Sequence, residues 1–171
     1  VVLFKGQRNR YDKAFVTAGA KLVLYGSEHE GTTDQLEAAI NENTACVAFV
    51  IMPFGLTGVG LEETIRVAHE RGVPVIVDAA AELPPRANLS KFHKMGADMV
   101  AFSGGKGIGG PQSSGLLSGK ADLVEAAVMN SLNLDSSVAG IGRPMKVSKE
   151  NIVGLVTAIQ LFTDSDEAAE W

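Results

Sequence analysis

The stretch of the chain richest in chemical possibility runs from Asp98 to Gly119, DMVAFSGGKGIGGPQSSGLLSG. An apolar run, Met99 to Phe102, leads into a loop of small residues holding one lysine, Lys106, and then into a second short apolar segment, Gly115 to Leu117. Apolar runs of this length between glycine-rich punctuation predict strand, loop, strand. A lysine so placed projects from a strand end, where open α/β sheets hold their ligands. Two phosphate-binding motifs fail there. Gly105, Gly107 and Gly110 have GxGxxG spacing, but that motif must open a helix, and here Pro111, Gln112, Ser113, Ser114 and another strand follow. A P-loop would need glycine and a hydroxyl where the chain has Val100 and Gly107. Two readings of Lys106 remain. One is a solvated lysine in a flexible loop, the common situation for lysine. The other is a nucleophilic amine forming a Schiff base, which needs a desolvated amine of lowered pKa and a backbone that lets a flat molecule approach closely. The five glycines within Gly104 to Gly110 suit that approach.

Upstream, VPVIVDAAAELPP contains a near-continuous apolar run, Val73, Val75, Ile76 and Val77, which predicts a strand buried on both faces and ending on Asp78. A carboxylate closing such a strand costs several kcal/mol unless it is paired or hydrogen-bonded. It either caps a loop through backbone amides or faces a cation at the sheet edge, such as the protonated ring nitrogen of a pyridine cofactor. Asp at one strand end and Lys at another are the minimum pair for pyridoxal phosphate, one tuning the ring and the other carrying the aldehyde carbon.

At these residues the chain resembles the large domain of fold-type I pyridoxal-phosphate enzymes. More narrowly, it is similar to the group containing bacterial selenocysteine synthase (L-seryl-tRNA(Sec) selenium transferase) and D-glucosaminate-6-phosphate ammonia-lyase. The segments carrying the resemblance are GQRNRYDKAFVTAGAKLV, VPVIVDAAAELPP, GADMVAFSGGKGIGGPQSSGLLSG and GRPMKVSKENIVGLVTAI, in the family's order and spanning nearly the whole chain. The resemblance implies that Lys106 carries the cofactor and that Asp78 partners the pyridinium nitrogen. It also implies that Ser103 offers a phosphate-binding hydroxyl and that Ala80 lies under the ring. Gln7 falls where members of the group set a residue against the cofactor face. Some relatives have histidine there, and an amide stacks less well. Arg8, Arg10, Arg143 and Lys146 are candidates for phosphate or carboxylate groups, Arg8 and Arg10 through bidentate contacts; a solvated role is the alternative for the two first-named arginines.

What the resemblance implies in reaction terms is removal of the α-proton of an amino-acid-type substrate, followed by β-elimination or replacement. The expected activity is closest to an ammonia-lyase on a small amino-acid or amino-sugar-acid substrate. A selenium transferase, a class V-type aminotransferase and a non-catalytic truncated relative are the alternatives. Such enzymes are expected to be homodimers or higher homo-oligomers.

The chain has 171 residues, enough for one domain with a sizeable core. Hydrophobic residues make up 46%, which excludes a disordered chain. A net charge of −5 gives no electrostatic footprint for nucleic acid or an anionic membrane and counts against a tRNA partner. The single cysteine, Cys46, lies in the apolar run ACVAFVIM, reads as a small buried hydrophobe, and suits a reducing cytoplasm. No apolar run is long enough to span a bilayer, and no Cys/His cluster has zinc spacing. The start inside an apolar run without methionine, together with the greater length of fold-type I enzymes, predicts the middle of a longer large domain. The N-terminal part and the C-terminal small domain would be absent, and the piece alone is expected to be incompetent.

The elements that must hold Asp78 and Lys106 follow from periodicity. Strands are expected at Val1 to Phe4, Lys21 to Tyr25 and Ala45 to Met52, with helices between them. Phe15, Val16 and Ala18 mark one helix, and Thr32 with Gln35 forms a capping box for the next, which carries Leu36, Ala39 and Ile40 on one side. Leu61 to Arg71 is amphipathic with Leu61, Ile65 and Ala68 inward, and His69 near that stripe is expected to be partnered or exposed. Phe54 is a candidate pocket wall or core residue. Leu89 to Met95 and Ala121 to Met129 suit helices, and Ser148 caps a last one from Lys149 to Phe162. Pro84 and Pro85 prevent helix after Asp78. Glu82 is a second candidate polar group near the site or a solvated residue. Strands alternating with helices should be parallel, whereas the pair around Lys106 lacks a crossover helix and should be antiparallel. The expected fold is therefore a three-layer α/β/α arrangement with a mixed, mostly parallel sheet.

Overall fold

The computed structural model describes residues 1–52, 58–131 and 140–167. Strands and helices alternate as β1 (Val2–Phe4), α1 (Lys13–Thr17), β2 (Val23–Tyr25), α2 (Thr33–Ala39), β3 (Val47–Val50), α3 (Leu61–Glu70) and β4 (Val75–Asp78). They are followed by α4 (Asn88–Lys94), β5 (Met99–Ser103), β6 (Gly115–Gly119), α5 (Ala121–Met129) and α6 (Lys149–Asp164). The sheet has the strand order β2-β1-β3-β4-β5-β6. β1 runs parallel to both β2 and β3, and β3 runs parallel to β4 with Val50 opposite Asp78. β5 and β6 succeed each other without a helix and form the antiparallel pair. The mixed, mostly parallel sheet flanked by helices is the fold the sequence predicts. Phe54 and its neighbours, residues 132–139 and residues 168–171 lie outside the described residues.

Residues divide into two compact units, the first comprising 1–78 and 93–99 and the second 79–92 and 100–171. In the first, all three residues of β1 are buried, which is why the strand reads as an unbroken apolar run. Leu3, Ala48 and Val50 form a core cluster against which Val1, Phe15 and Met52 pack. The Phe4 ring is lodged among backbone: a Cβ added at Gly6, Gly26, Gly31 or Gly58 would come within 2.6 to 2.9 Å of it. Tyr25 lies beside it at 5.5 Å between ring centroids. Burial pushes the Tyr25 phenol up to about 12, and a hydrogen bond with Thr64 pulls in the opposite direction.

Local rules account for the helix ends of this unit. The Thr32 side chain accepts from the Gln35 N–H while the Gln35 side chain accepts from the Thr32 N–H, closing the capping box at α2. Gly72 (φ 69°) and Gly96 (φ 105°) follow α3 and α4 in the left-handed region that ends helices. Asp98, fully buried, accepts the Val75 N–H at 2.7 Å through Oδ2, and His69 Nε2 lies 2.7 Å from the same oxygen. His69 is thus a partnered residue at the end of α3, and it links that helix to the starts of β4 and β5.

In the second unit, β6 alternates between exposed and half-buried residues, as an edge strand does. The Ser148 side chain accepts the Asn151 N–H and caps α6. At the far end, Arg86 donates from Nε to the Phe162 carbonyl at 3.1 Å and from Nη2 to the Ser165 carbonyl at 2.6 Å. Its guanidinium lies 5.9 Å from the Phe162 ring centroid. A cation on the last carbonyls of a helix satisfies groups that the helix itself leaves unpaired.

Candidate functional site

Lys106 lies in the turn that follows β5, with its side chain exposed, so the described residues do not themselves supply the desolvation that the Schiff-base reading calls for. The turn takes its shape from glycines pressed against neighbouring backbone. A Cβ on Gly107 would overlap the Leu83 carbonyl oxygen and stand 2.5 Å from the Leu83 carbonyl carbon; one on Gly104 would overlap Ser114 Oγ. The double-proline segment after Ala79 therefore packs directly on the lysine loop. Asn88, buried, holds that segment by donating from Nδ2 to the Glu82 carbonyl at 2.6 Å.

Ser103 closes β5, three residues before the lysine, and is half-buried. Ala80 is brought to the same strand by the Ala79 N–H, which donates to the Ala101 carbonyl at 2.9 Å. Ala80, Ser103 and Lys106 are thus gathered in the second unit at the carboxyl end of β5. Asp78 is the last residue of β4, half-buried, with its own carbonyl accepting the Ile51 N–H at 3.0 Å. It belongs to the first unit and directly precedes Ala79 in the chain.

The remaining sequence candidates have these surroundings. Gln7 is buried, and its Oε1 accepts the Val50 N–H at 3.3 Å, so its amide ties the turn after β1 to the end of β3. Arg8 forms an ion pair with the buried carboxylate of Asp12. With Lys5, Gly6 and Glu28 it lines a cleft of about 370 Å³ in the first unit. Arg10 is exposed in a short 3-10 turn. Arg143 and Lys146 are exposed in and beside the turn that precedes α6. Cys46 is buried, and burial pushes its thiol pKa up, which suits a packing residue.

Sequence reasoning assigned no part to Gln112 or Leu83. Gln112 donates from Nε2 to the Gly105 carbonyl at 2.9 Å, and Leu83 presents its carbonyl to Gly107. Neither has a local signal, because each acts on the lysine loop from outside the motif.

The chemistry of this set is consistent: an exposed primary amine that can condense with a carbonyl, a hydroxyl that can donate to an anion, and a methyl side chain that leaves room for a flat face. These three groups of the second unit fit the phosphate ester of a pyridine aldehyde. Among the described residues no helix is long and apolar enough to cross a membrane, and no group of His, Cys, Asp and Glu could hold a metal ion.

Comparison with known proteins bears on the family. Residues 9–138 match the family model for aminotransferase class-V. The chain is 35% identical to a 5'-C-glycyluridine monooxygenase-decarboxylase of Streptomyces sp, over 99% of this chain and 42% of that protein. It is 34% identical to a D-glucosaminate-6-phosphate ammonia lyase of Salmonella typhimurium, over 95% of this chain and 42% of that protein. An L-seryl-tRNA(Sec) selenium transferase of Aquifex aeolicus is 29% identical, over 85% of this chain and 33% of that protein. A solved structure of a D-glucosaminate-6-phosphate ammonia-lyase superposes with a TM-score of 0.83 at 32% identity, covering 96% of this chain and 43% of that one. The chain spans about two fifths of the length of the first two of these curated relatives.

Proposed function

Because the chain belongs to the aminotransferase class-V family of pyridoxal-phosphate enzymes, we propose that Lys106 is the residue joined to the cofactor in an enzyme acting on an amino-acid-type substrate. The observation that carries this reading is the gathering of Ala80, Ser103 and Lys106 at the carboxyl end of β5, held by the Ala79–Ala101 hydrogen bond. Asp78, Ala80, Ser103 and Gln7 are assigned to cofactor binding, and Arg8 and Arg143 to anionic groups of the substrate.

When bound, pyridoxal phosphate supplies an electron sink that makes the bonds to a substrate's α-carbon labile. The residues of the chain do the rest. Lys106 would hold the cofactor through its side-chain amine and, where the substrate's amine takes that place, would serve as the base that takes the α-proton and returns it elsewhere. Asp78 would keep the ring nitrogen protonated, since a carboxylate near that nitrogen would favour its charged form. Ser103 would offer its hydroxyl hydrogen to the phosphate, and the small side chain of Ala80 would leave one ring face uncovered by bulk.

The reaction class favoured is β-elimination with release of ammonia from an amino-sugar acid, as the name of the 34% identical lyase suggests. The net charge of −5 supports a small substrate over tRNA. A second reading is supported by the 35% identity to the monooxygenase-decarboxylase, whose name implies loss of a carboxylate from a glycyl nucleoside. The protein is proposed to be a cytoplasmic homo-oligomer whose remaining segments, beyond these 171 residues, complete the large domain and add a small one.

The test is an ammonia-release assay on the full-length protein with pyridoxal phosphate, comparing D-glucosaminate 6-phosphate, a 5'-C-glycyl nucleoside and seryl-tRNA. Ammonia from the amino-sugar acid, abolished by Lys106→Ala, is the expected result. Turnover retained by Lys106→Ala would overturn the assignment, and carbon dioxide from the nucleoside would replace the lyase reading with the second one.

A further inference from the structure

Resting on the reading of Lys106 as the imine-forming residue, we infer that Gln112 is a positioning residue that sets the direction in which the Lys106 side chain leaves the backbone. Three consecutive carbonyls carry the lysine through its turn, and each accepts one hydrogen bond. The Gly104 carbonyl accepts the Gly110 N–H at 2.7 Å, and the Lys106 carbonyl accepts the Gly109 N–H at 2.8 Å. The Gly105 carbonyl, between them, accepts Gln112 Nε2 at 2.9 Å. Two of these bonds are made by backbone and do not depend on side-chain type. The middle one depends on a side chain.

That middle carbonyl belongs to the peptide plane that also contains the Lys106 nitrogen, since the peptide unit is flat. Holding its oxygen fixes the axis about which the Lys106 Cα turns on one side, and the Gly109 bond fixes the plane on the other. Together they determine where the Cα–Cβ bond points. Residues 104, 105 and 107 are glycines, whose backbone is free to adopt many conformations, so the loop has little stiffness of its own at this point.

Gln112 is well placed to act as a fixed strut. Its side chain lies against Gly105 so closely that a Cβ there would stand 2.8 Å from both Cδ and Oε1. The residues on either side are pinned to α6. Pro111 Cγ would stand 2.9 Å from a Cβ at Gly154, and Ser113 Oγ accepts Asn151 Nδ2 at 2.6 Å. The turn is closed by the Pro111 carbonyl, which accepts the Ser114 N–H at 3.1 Å and the Ser114 hydroxyl at 2.6 Å. Gln112 itself is exposed, so its bond does little for the fold as a whole while controlling one peptide plane.

Three variants test this: Gln112→Met, which keeps length and removes the donor; Gln112→Glu, which keeps shape and presents only acceptors; and Gln112→Arg, which restores a donor without adding an imine-forming amine. Each is mixed with pyridoxal 5'-phosphate, and the rise of the visible imine band is timed. The Met and Glu variants are expected to be roughly threefold to tenfold slower than wild type, and the Arg variant within about twofold of it. Amide hydrogen exchange without cofactor is the independent readout. The Gly109 N–H should exchange roughly threefold to tenfold faster in the Met variant, while the unfolding midpoint moves by no more than about 2 °C. Wild-type rates in both the Met and Glu variants, with wild type labelled at Lys106, overturn the inference. Labelling of wild type elsewhere instead overturns the reading of Lys106, and the exchange measurement then decides the role of Gln112 alone, unchanged Gly109 exchange refuting it.

Discussion

Gly107→Ala is the substitution that most directly challenges the packing behind Lys106. The added Cβ would overlap the Leu83 carbonyl oxygen and stand 2.5 Å from its carbon and 3.1 Å from Pro84 N. These are backbone atoms, so no side chain can swing away; one of the two loops has to retreat by on the order of 1 Å to regain ordinary contact distances. Overpacking of this kind costs about 1–3 kcal/mol. For a chain of this size that corresponds to a fall in Tm of roughly 2–12 °C. A displacement of about 1 Å beside a reacting group can also cost on the order of 100-fold in rate. Gly109→Ala is the informative partner, because nothing lies within 4 Å of its Cβ, yet its φ is +73°. That variant should lose only about 1–2 kcal/mol from backbone strain. Thermal unfolding, paired with the rate at which the visible imine band forms, separates the two effects. Gly107→Ala should be impaired in both, more than Gly109→Ala in the rate. If Gly107→Ala matched wild type in Tm and in imine formation, the contact between the two loops would not position the lysine, and the reasoning would fail.

Elsewhere the structure makes further predictions. Gly31→Ala drives a methyl to within 2.7 Å of the Phe4 ring and 3.2 Å of Tyr25 and should cost about 1–3 kcal/mol in urea unfolding; no loss would mean that the ring is not confined as described. Asp98→Ala strips the Val75 N–H and His69 of their acceptor in a fully buried place and should destabilise by about 1–3 kcal/mol, whereas His69→Ala should do less, because its side chain is 39% exposed. Equal losses from the two would contradict this assignment. Tyr25 gives a pH dependence of definite sign. Its folded pKa, about 12, lies above the ordinary value of 10.0, so its contribution is intact below 10 and drains away as the pH climbs toward 12. Alkaline unfolding should lose roughly 1–3 kcal/mol across that window relative to Tyr25→Phe; parallel curves for the two proteins would refute it.

How far the sequence foretold these features depended on whether the physical cause was local. The capping box of Thr32 and Gln35 and the Ser148 cap are encoded within a few residues, and the structure shows both. The same holds for the strand ending on Asp78 and for the helix over Ala121–Met129. β2 and β3 are shorter than the apolar runs that announced them, because a strand ends where its ladder partner ends, which the run alone does not specify. His69 was legible only as partnered or exposed; Asp98, 29 residues away, is what engages it. The lysine loop shows the same boundary. Its glycines are visible in the sequence as permissive backbone, but Leu83, Asn88 and Gln112, which give that backbone its shape, act through contacts that no periodicity reports.

The most direct measurement is covalent mapping of the lysine. The protein is mixed with less than one equivalent of pyridoxal 5'-phosphate, reduced with borohydride and digested, and the modified peptide is located by mass spectrometry. A single adduct on Lys106, absent from Lys106→Ala, is the predicted result. An adduct spread across the surface lysines, or undiminished in Lys106→Ala, would contradict the account.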